Sequence, residues 1–322
     1  MGGLRLAVAL LVAAVLTEGH APDLPGPPAA GPAVAAPAGA PVVREARYRM
    51  SAGIRPLLVF WIRSHNVGGA RIVWRDGDGG RGYELLIGSD PLRAPRRINR
   101  WGWEREDLGP GGATLFGLMR KTDEESLEEA KAELGREGKG GYLYKVIRAQ
   151  VAGGTVRSEN TVLRVAQDYT YRDLAELQAL AGSPHGIPPR VREARLPHGT
   201  WPGFLFAAAD LVDRAVTEAA RPETPRRLLA GVETTFTFNA ALYDLRLRST
   251  EWVSAATYGN RRYERLVRLR MENFNREQRT RERFMLVCAT DGALARVPVF
   301  IEYQPKWWFK AQGVLDEGEA FP

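Results

Sequence analysis

Two tryptophans and two arginines crowd a short stretch of this 322-residue chain: Arg97, Arg100, Trp101 and Trp103. Rings separated by one glycine can flank a flat group, and guanidinium forks offer fixed donors to carboxylate, phosphate or sugar oxygens. Pro91 and Pro95 are expected to keep 89–107 irregular, which would leave those side chains uncommitted to a core. The four are the candidate ligand-binding residues; the competing reading is a loop folded back so that its tryptophans cap a core. A second aromatic run, KWWFK at 306–310, sends Trp307 and Phe309 to one face of a strand and Trp308 with Lys310 to the other. Trp308 and Lys310 form a candidate interaction surface.

No recognisable catalytic, metal or cofactor set accompanies them. Gly77, Gly79 and Gly82 match G-x-G-x-x-G, but the segment that follows, YELLI, reads as a strand where a dinucleotide site needs a helix. The glycines therefore read as a hairpin loop, and Asp76 with Asp78 are too few carboxylates for a calcium site. His65, His185 and His198 share no metal-ligand spacing. Ser183 in GSPHG lacks the strand-turn-helix setting of a nucleophile elbow. Cys288, the single cysteine, lies inside the apolar run FMLVCA and reads as a buried small hydrophobe. Glu104 and Glu106, or Asp107, are the carboxylates that a glycosidase-type reaction would use. That chemistry requires two of them facing a cleft about 5 to 10 Å apart.

The elements that must position these residues follow from periodicity. From Arg44 the chain alternates with period two between glycine-bearing turns, predicting strands at 46–51, 57–63, 70–75, 83–87 and 114–121. A capping box at Thr122 and Glu125 opens a helix near 122–137. A hairpin follows, 142–151 and 155–166 around Gly153-Gly154, and then a short helix at 168–181. Residues 203–220 place Leu205, Ala208, Leu211, Val212 and Ala215 at helical spacing, the mark of a core-facing helix. Strands are predicted again at 234–239, 243–253, 263–274, 279–289, 297–303 and 307–314. The expected fold class is α+β and β-rich: a curved antiparallel sheet or half-barrel packed on one or two helices, forming a single domain over 44–322.

Residues 1–21 read as a signal peptide, with Arg5, an apolar run over 6–16, and Gly19 and Ala21 before a cleavage point. The apolar run is shorter than the roughly 20 residues that span a bilayer. Residues 22–43 are a Pro/Ala-rich linker. Hydrophobic content of 44% with 26% charge excludes a polytopic membrane protein or a wholly disordered chain. The net charge is +7, carried by arginine far more than lysine. The nine arginines and four glutamates of 261–283 are expected to pair across neighbouring strands. In an exported protein this charge meets anionic lipid or glycan rather than nucleic acid.

From Pro202 onward the chain resembles the domain-of-unknown-function 3108 family of exported bacterial proteins. The segments that carry the resemblance are FLFAAADLV, GVETTFTF, YDLRLRSTEWVSAATYGNRRYERLVRLRM and FMLVCATDGALARVPVFIEYQPKWWFKAQGVL. Val67-Gly68-Gly69-Ala70 resembles an early glycine-bearing strand of that family. The resemblance implies a β-rich envelope protein and supplies no chemistry. The expectation is a periplasmic or secreted, noncatalytic binding or envelope-assembly protein for a lipid, a glycan or an envelope protein. No nucleic acid, no transmembrane span after cleavage and no cofactor are expected. The alternative is a hydrolase acting on an envelope polymer through paired carboxylates.

Overall fold

The computed structural model describes residues 40–54, 62–94, 97, 99–120, 141–182, 189–221, 229–306 and 309–316. The signal-like segment, most of the linker, the helix expected near 122–137, most of the strand expected at 57–63, His185 and Trp308 lie outside the described residues. The described elements are mostly strands: β1 (Val42–Ile54), β2 (Ile62–Gly77), β3 (Gly80–Ser89), β4 (Trp101–Gly109), β5 (Gly112–Arg120), β6 (Tyr142–Ala152), β7 (Thr155–Val165) and β8 (Arg190–Arg195). After them come β9 (Val232–Phe238), β10 (Ala241–Tyr258), β11 (Arg261–Asn275), β12 (Arg281–Ala289), β13 (Pro298–Lys306) and β14 (Phe309–Asp316). Among the described residues two α-helices interrupt the strands, α1 (Leu174–Gly182) and α2 (Phe204–Ala219). No helix among the described residues is long and apolar enough to cross a membrane.

All fourteen described strands join one antiparallel sheet, in the order β8 through β1, then β14 through β9. The two strand-rich blocks of the sequence are thus two meanders, joined where β1 pairs with β14, with Arg47 opposite Asp316 and Ile54 opposite Phe309. The sheet is not closed into a barrel. Its outer ends nevertheless touch. Trp201, just beyond β8, bridges to Phe236 on β9, donating to Thr235 and accepting from Thr237. Ser158 of β7 also donates to Asn239 in the β9–β10 turn at 3.0 Å.

Period-two burial makes these strands: in β14 the buried positions are Phe309, Ala311, Gly313 and Leu315, alternating with half-buried ones. One face of the sheet carries the main core, which includes Tyr48, Ile87, Leu245, Leu269 and Leu286 together with Leu211, Val212 and Ala215 of α2. Phe204 of α2 meets the rings of Phe236 and Phe284, and Phe206 meets Tyr83 edge-on at 4.9 Å. The other face, over β3 to β7, carries a second core of Leu86, Trp101, Trp103, Leu118, Tyr144 and Leu163 with Leu174 and Leu177 of α1.

Several local expectations are corrected. The region 89–107 is not irregular throughout, because β4 begins at Trp101. The prolines interrupt only the β3–β4 connection, while β4 is buried on both faces and so lacks the polar alternation that marks a half-exposed strand. The strand expected at 70–75 extends back through Gly68 and Gly69, which lie inside the long strand β2 and pair with Ser89 and Gly88. The arginine-rich strand β8 lies between the helices expected at 168–181 and 203–220, where no strand is predicted. The G-x-G-x-x-G stretch is a hairpin, closed by the Gly77–Gly80 pair. The arginine run does pair: Arg283 lies 3.3 Å from Glu272, and Arg268 lies 2.7 Å from Glu251.

Candidate functional site

β4 sends Trp101 and Trp103 to one face and Glu104 and Glu106 toward the main core. Both rings are fully packed, at 2% and 3% exposure. Trp101 Nε1 donates to the Tyr169 carbonyl at 2.9 Å, and Trp103 stacks edge-on to Phe116. Arg97 is exposed with a positive φ of 53°, whereas Arg100 is buried and its backbone N–H donates to Ser89 Oγ. The four residues therefore do not converge on one opening, and the premise that their loop leaves the rings uncommitted is corrected by β4. Lys310 of β14 lies 3.6 Å from Glu302, with its neighbour Trp308 outside the described residues.

The acid pair is an unusual local arrangement. Glu104 and Glu106 are both buried, two residues apart on one strand, and hydrogen-bonded to each other. Burial, then the neighbouring Glu106 charge, pushes the Glu104 carboxyl well above its ordinary range. Glu106 is raised by burial to about 7, although backbone N–H groups hold it down. Those donors are the first turn of α2: Leu205 N at 2.8 Å and Phe206 N at 3.0 Å. The helix has Gly203 at its N-cap, makes no side-chain cap bond and has no acid in its first turn. Glu106 fills that role from another strand, meeting the positive end of the helix dipole. Asp107, on the other face, pairs with Arg105 at 2.7 Å.

Beside this cap, between α2 and both meanders, lies a cavity of about 140 Å³. Its walls are mostly apolar: Ile72, Trp74 and Leu85 from β2 and β3, Phe204, Leu205, Ala208 and Val212 from α2, and Phe284, Leu286 and Ile301 from β12 and β13. The polar lining residues include Asn273 of β11, Glu282 of β12 and Tyr303 of β13. Asn273 and Glu282 are directly opposed across β11 and β12. Asn273 is 4% exposed, and its Oδ1 has no hydrogen-bond partner. The Tyr303 hydroxyl has no hydrogen-bond partner; burial, then the Glu282 charge, keeps it protonated far above the ordinary phenol range. Arg296, also on the wall, is ion-paired with Asp213 of α2.

Sequence reasoning missed this cavity, since its lining comes from six separate elements and no local motif contains it. Other candidates are accounted for locally. Cys288 is buried, and desolvation raises its thiol pKa strongly. His65 lies 3.4 Å from Ser51 Oγ, and His198 is exposed. Among the described residues, no three His, Cys, Asp or Glu side chains gather closely enough to hold a metal ion. No protein-family model matches this chain, and neither a curated protein nor a solved structure matches it.

Proposed function

We propose that this chain is an exported, noncatalytic binding protein whose sheet bends as a trough around α2 and takes a small apolar body in the cavity beneath that helix. The observation that carries the reading is an apolar cavity whose wall also holds three polar residues, Asn273, Glu282 and Tyr303. Convergent polar groups in a mostly apolar hollow are the usual form of a small-molecule site. Size limits the occupant. A void near 150 Å³ accepts a molecule such as benzene, so a ring or a short alkyl segment fits better than a whole lipid tail. The signal-like residues 1–21 support export, and the resemblance of 202–322 to the domain-of-unknown-function 3108 family points to the same compartment.

The hydrolase alternative is less well supported. Glu104 and Glu106 hydrogen-bond to each other instead of flanking a cleft, and Glu106 is occupied by backbone N–H groups of α2. The test of the binding reading is a crystal pressurised with xenon. Density is expected among Phe204, Ala208 and Phe284, and it should vanish in Ala208→Leu. A cavity that stays empty in the wild type would overturn the reading. Fractionation of a tagged full-length chain tests export, and cytoplasmic material of uncleaved mass would contradict it.

A further inference from the structure

We infer that the sheet face opposite the cavity carries a second site, formed by Arg248, Arg270, Arg281 and Arg283, for the dianionic phosphate group of a small soluble phosphate monoester. The site is independent of the cavity: Asn273, Glu282 and Phe284, which line the cavity from β11 and β12, alternate with these residues along their strands and lie on the other face.

The argument starts from charge pairing on the arginine-bearing face. Arg246 of β10 is matched by Glu233, Arg268 of β11 by Glu251, and Arg276, just beyond β11, by Asp244. Glu272 of β11 breaks that one-to-one pattern. Three guanidinium groups surround its carboxyl group, Arg283 at 3.3 Å, Arg281 at 3.7 Å and Arg248 at 3.9 Å. Arg270 lies two residues before Glu272 on the same strand, hence on the same face, and is paired with no acid among the described residues. Four positive charges against one negative leave an excess of three. The Glu272 side chain is 3% exposed, whereas those of Arg248, Arg281 and Arg283 are 49%, 59% and 73% exposed, so the excess faces solvent. Like charges held this close repel, and an anion from solution relieves the repulsion. Their donors are available for it. Arg283 donates to Glu272 through Nε alone, and Arg281 and Arg248 stand too far from that carboxyl group for a hydrogen bond. Arg281 also lies over the Phe274 ring, which holds its plane without using its N–H groups. Guanidinium forks bind phosphate oxygens two at a time, and a monoester carries close to two negative charges at neutral pH and above. A cluster focused on one residue suits such a compact dianion better than a long polyanion.

Calorimetry on the full chain at pH 8 and low salt, with glycerol 3-phosphate and glycerol as probes, tests the site. Glycerol 3-phosphate is expected to bind with a Kd of about 1 mM or tighter and to weaken as salt is added, while glycerol gives no signal. Arg270→Gln breaks no ion pair, so it should fold as wild type does and lose at least about threefold in affinity. Glu272→Gln removes the competing carboxylate and should bind at least about threefold more tightly. Arg157→Gln, on β7 in the other meander, removes the same charge away from the cluster and should bind as wild type. Equal losses in Arg157→Gln and Arg270→Gln would overturn the site in favour of overall charge, and so would an absence of binding. Vesicles containing phosphatidic acid form a second arm: sedimentation with them, without binding of glycerol 3-phosphate, would assign the arginines to a lipid surface and overturn the small-ligand assignment.

Discussion

Gly203 and the carboxyl group of Glu106 claim the same space: a Cβ at position 203 would overlap the carboxyl carbon and both its oxygens. The backbone at Gly203 is extended, at φ −161°, a conformation any residue adopts. The glycine is required for the close approach and not for its dihedral freedom. Gly203→Ala must therefore either expel Glu106 from the start of α2 or shift the helix. The expected cost is about 2–4 kcal/mol, combining overpacking with a lost cap. Thermal melting should fall by roughly 5 to 15 °C. An unchanged melting temperature would show that the cap is dispensable.

The two acids of β4 should respond differently to amidation. Glu106→Gln removes the negative charge facing the helix N-terminus and leaves one oxygen for two backbone donors, a loss of about 1–3 kcal/mol. Glu104→Gln keeps a donor for Glu106 and should cost less than about 1 kcal/mol near pH 5. Denaturant titration of both variants measures the order, and equal losses would contradict the assignment of roles.

The same pair sets a pH dependence with a definite sign. Both carboxyl groups hold protons more tightly when folded, Glu106 with a pKa of about 7 against an ordinary 4.5, and Glu104 also well above 4.5. Their contribution is complete below the unfolded value and is lost as pH rises through the folded values. Glu104→Gln has no such proton to lose. Its melting temperature relative to wild type should climb as pH increases from 4.5 past 7. A difference that is flat or falls with pH would refute the raised Glu104.

Trp101 and Trp103 should act as core residues. Each Trp→Ala change at such a site costs about 3–5 kcal/mol, so the double variant is expected to lose its cooperative melt. A double variant that melts like wild type would return the two rings to consideration as ligand-binding groups.

Cys288 provides a probe of the main core. Fully buried, with its thiol pKa pushed up by desolvation, it should resist aromatic disulfide reagents in the native state and react at the rate of opening or unfolding. Rapid stoichiometric labelling of native protein would mean that β12 is accessible.

Much of the fold was readable because its strands are bounded by local signals. The Gly153-Gly154 hairpin, the amphipathic pattern of 203–220 and the six strands after Pro225 correspond to elements of the structure, with ends shifted by a few residues. β4 was not readable, because Trp101, Trp103, Glu104 and Glu106 are all buried and the hydrophobic alternation vanishes. Burial of an acid pair depends on a helix start about one hundred residues away, a relation that no window of sequence contains. One hint was present: the segment WPGF opens a helix with neither a capping side chain nor an acid in its first turn, so its donors required a partner from elsewhere. The cavity was further out of reach, since β2, β3, α2 and the β11–β13 strands meet only after the two meanders join.

The pairing of β1 with β14 makes the strand order cyclic. Read from β9 to β14 and on through β1 to β8, every strand lies beside its successor, and the only step between distant parts of the chain is the one from β14 to β1. The two edge strands of the open sheet, β8 and β9, are consecutive strands in the chain. A chain rejoined by a short turn from Asp316 to Val42, and opened between β8 and α2, would run through the described strands in their spatial order, with α2 and β9 at its start. Of the described strands β1 comes first in the chain and β14 last, so the second edge of β1 is covered only once β14 is present. That pairing has a sequence separation of more than 250 residues, and contacts so far apart in the chain form slowly while a free strand edge stays open to wrong partners.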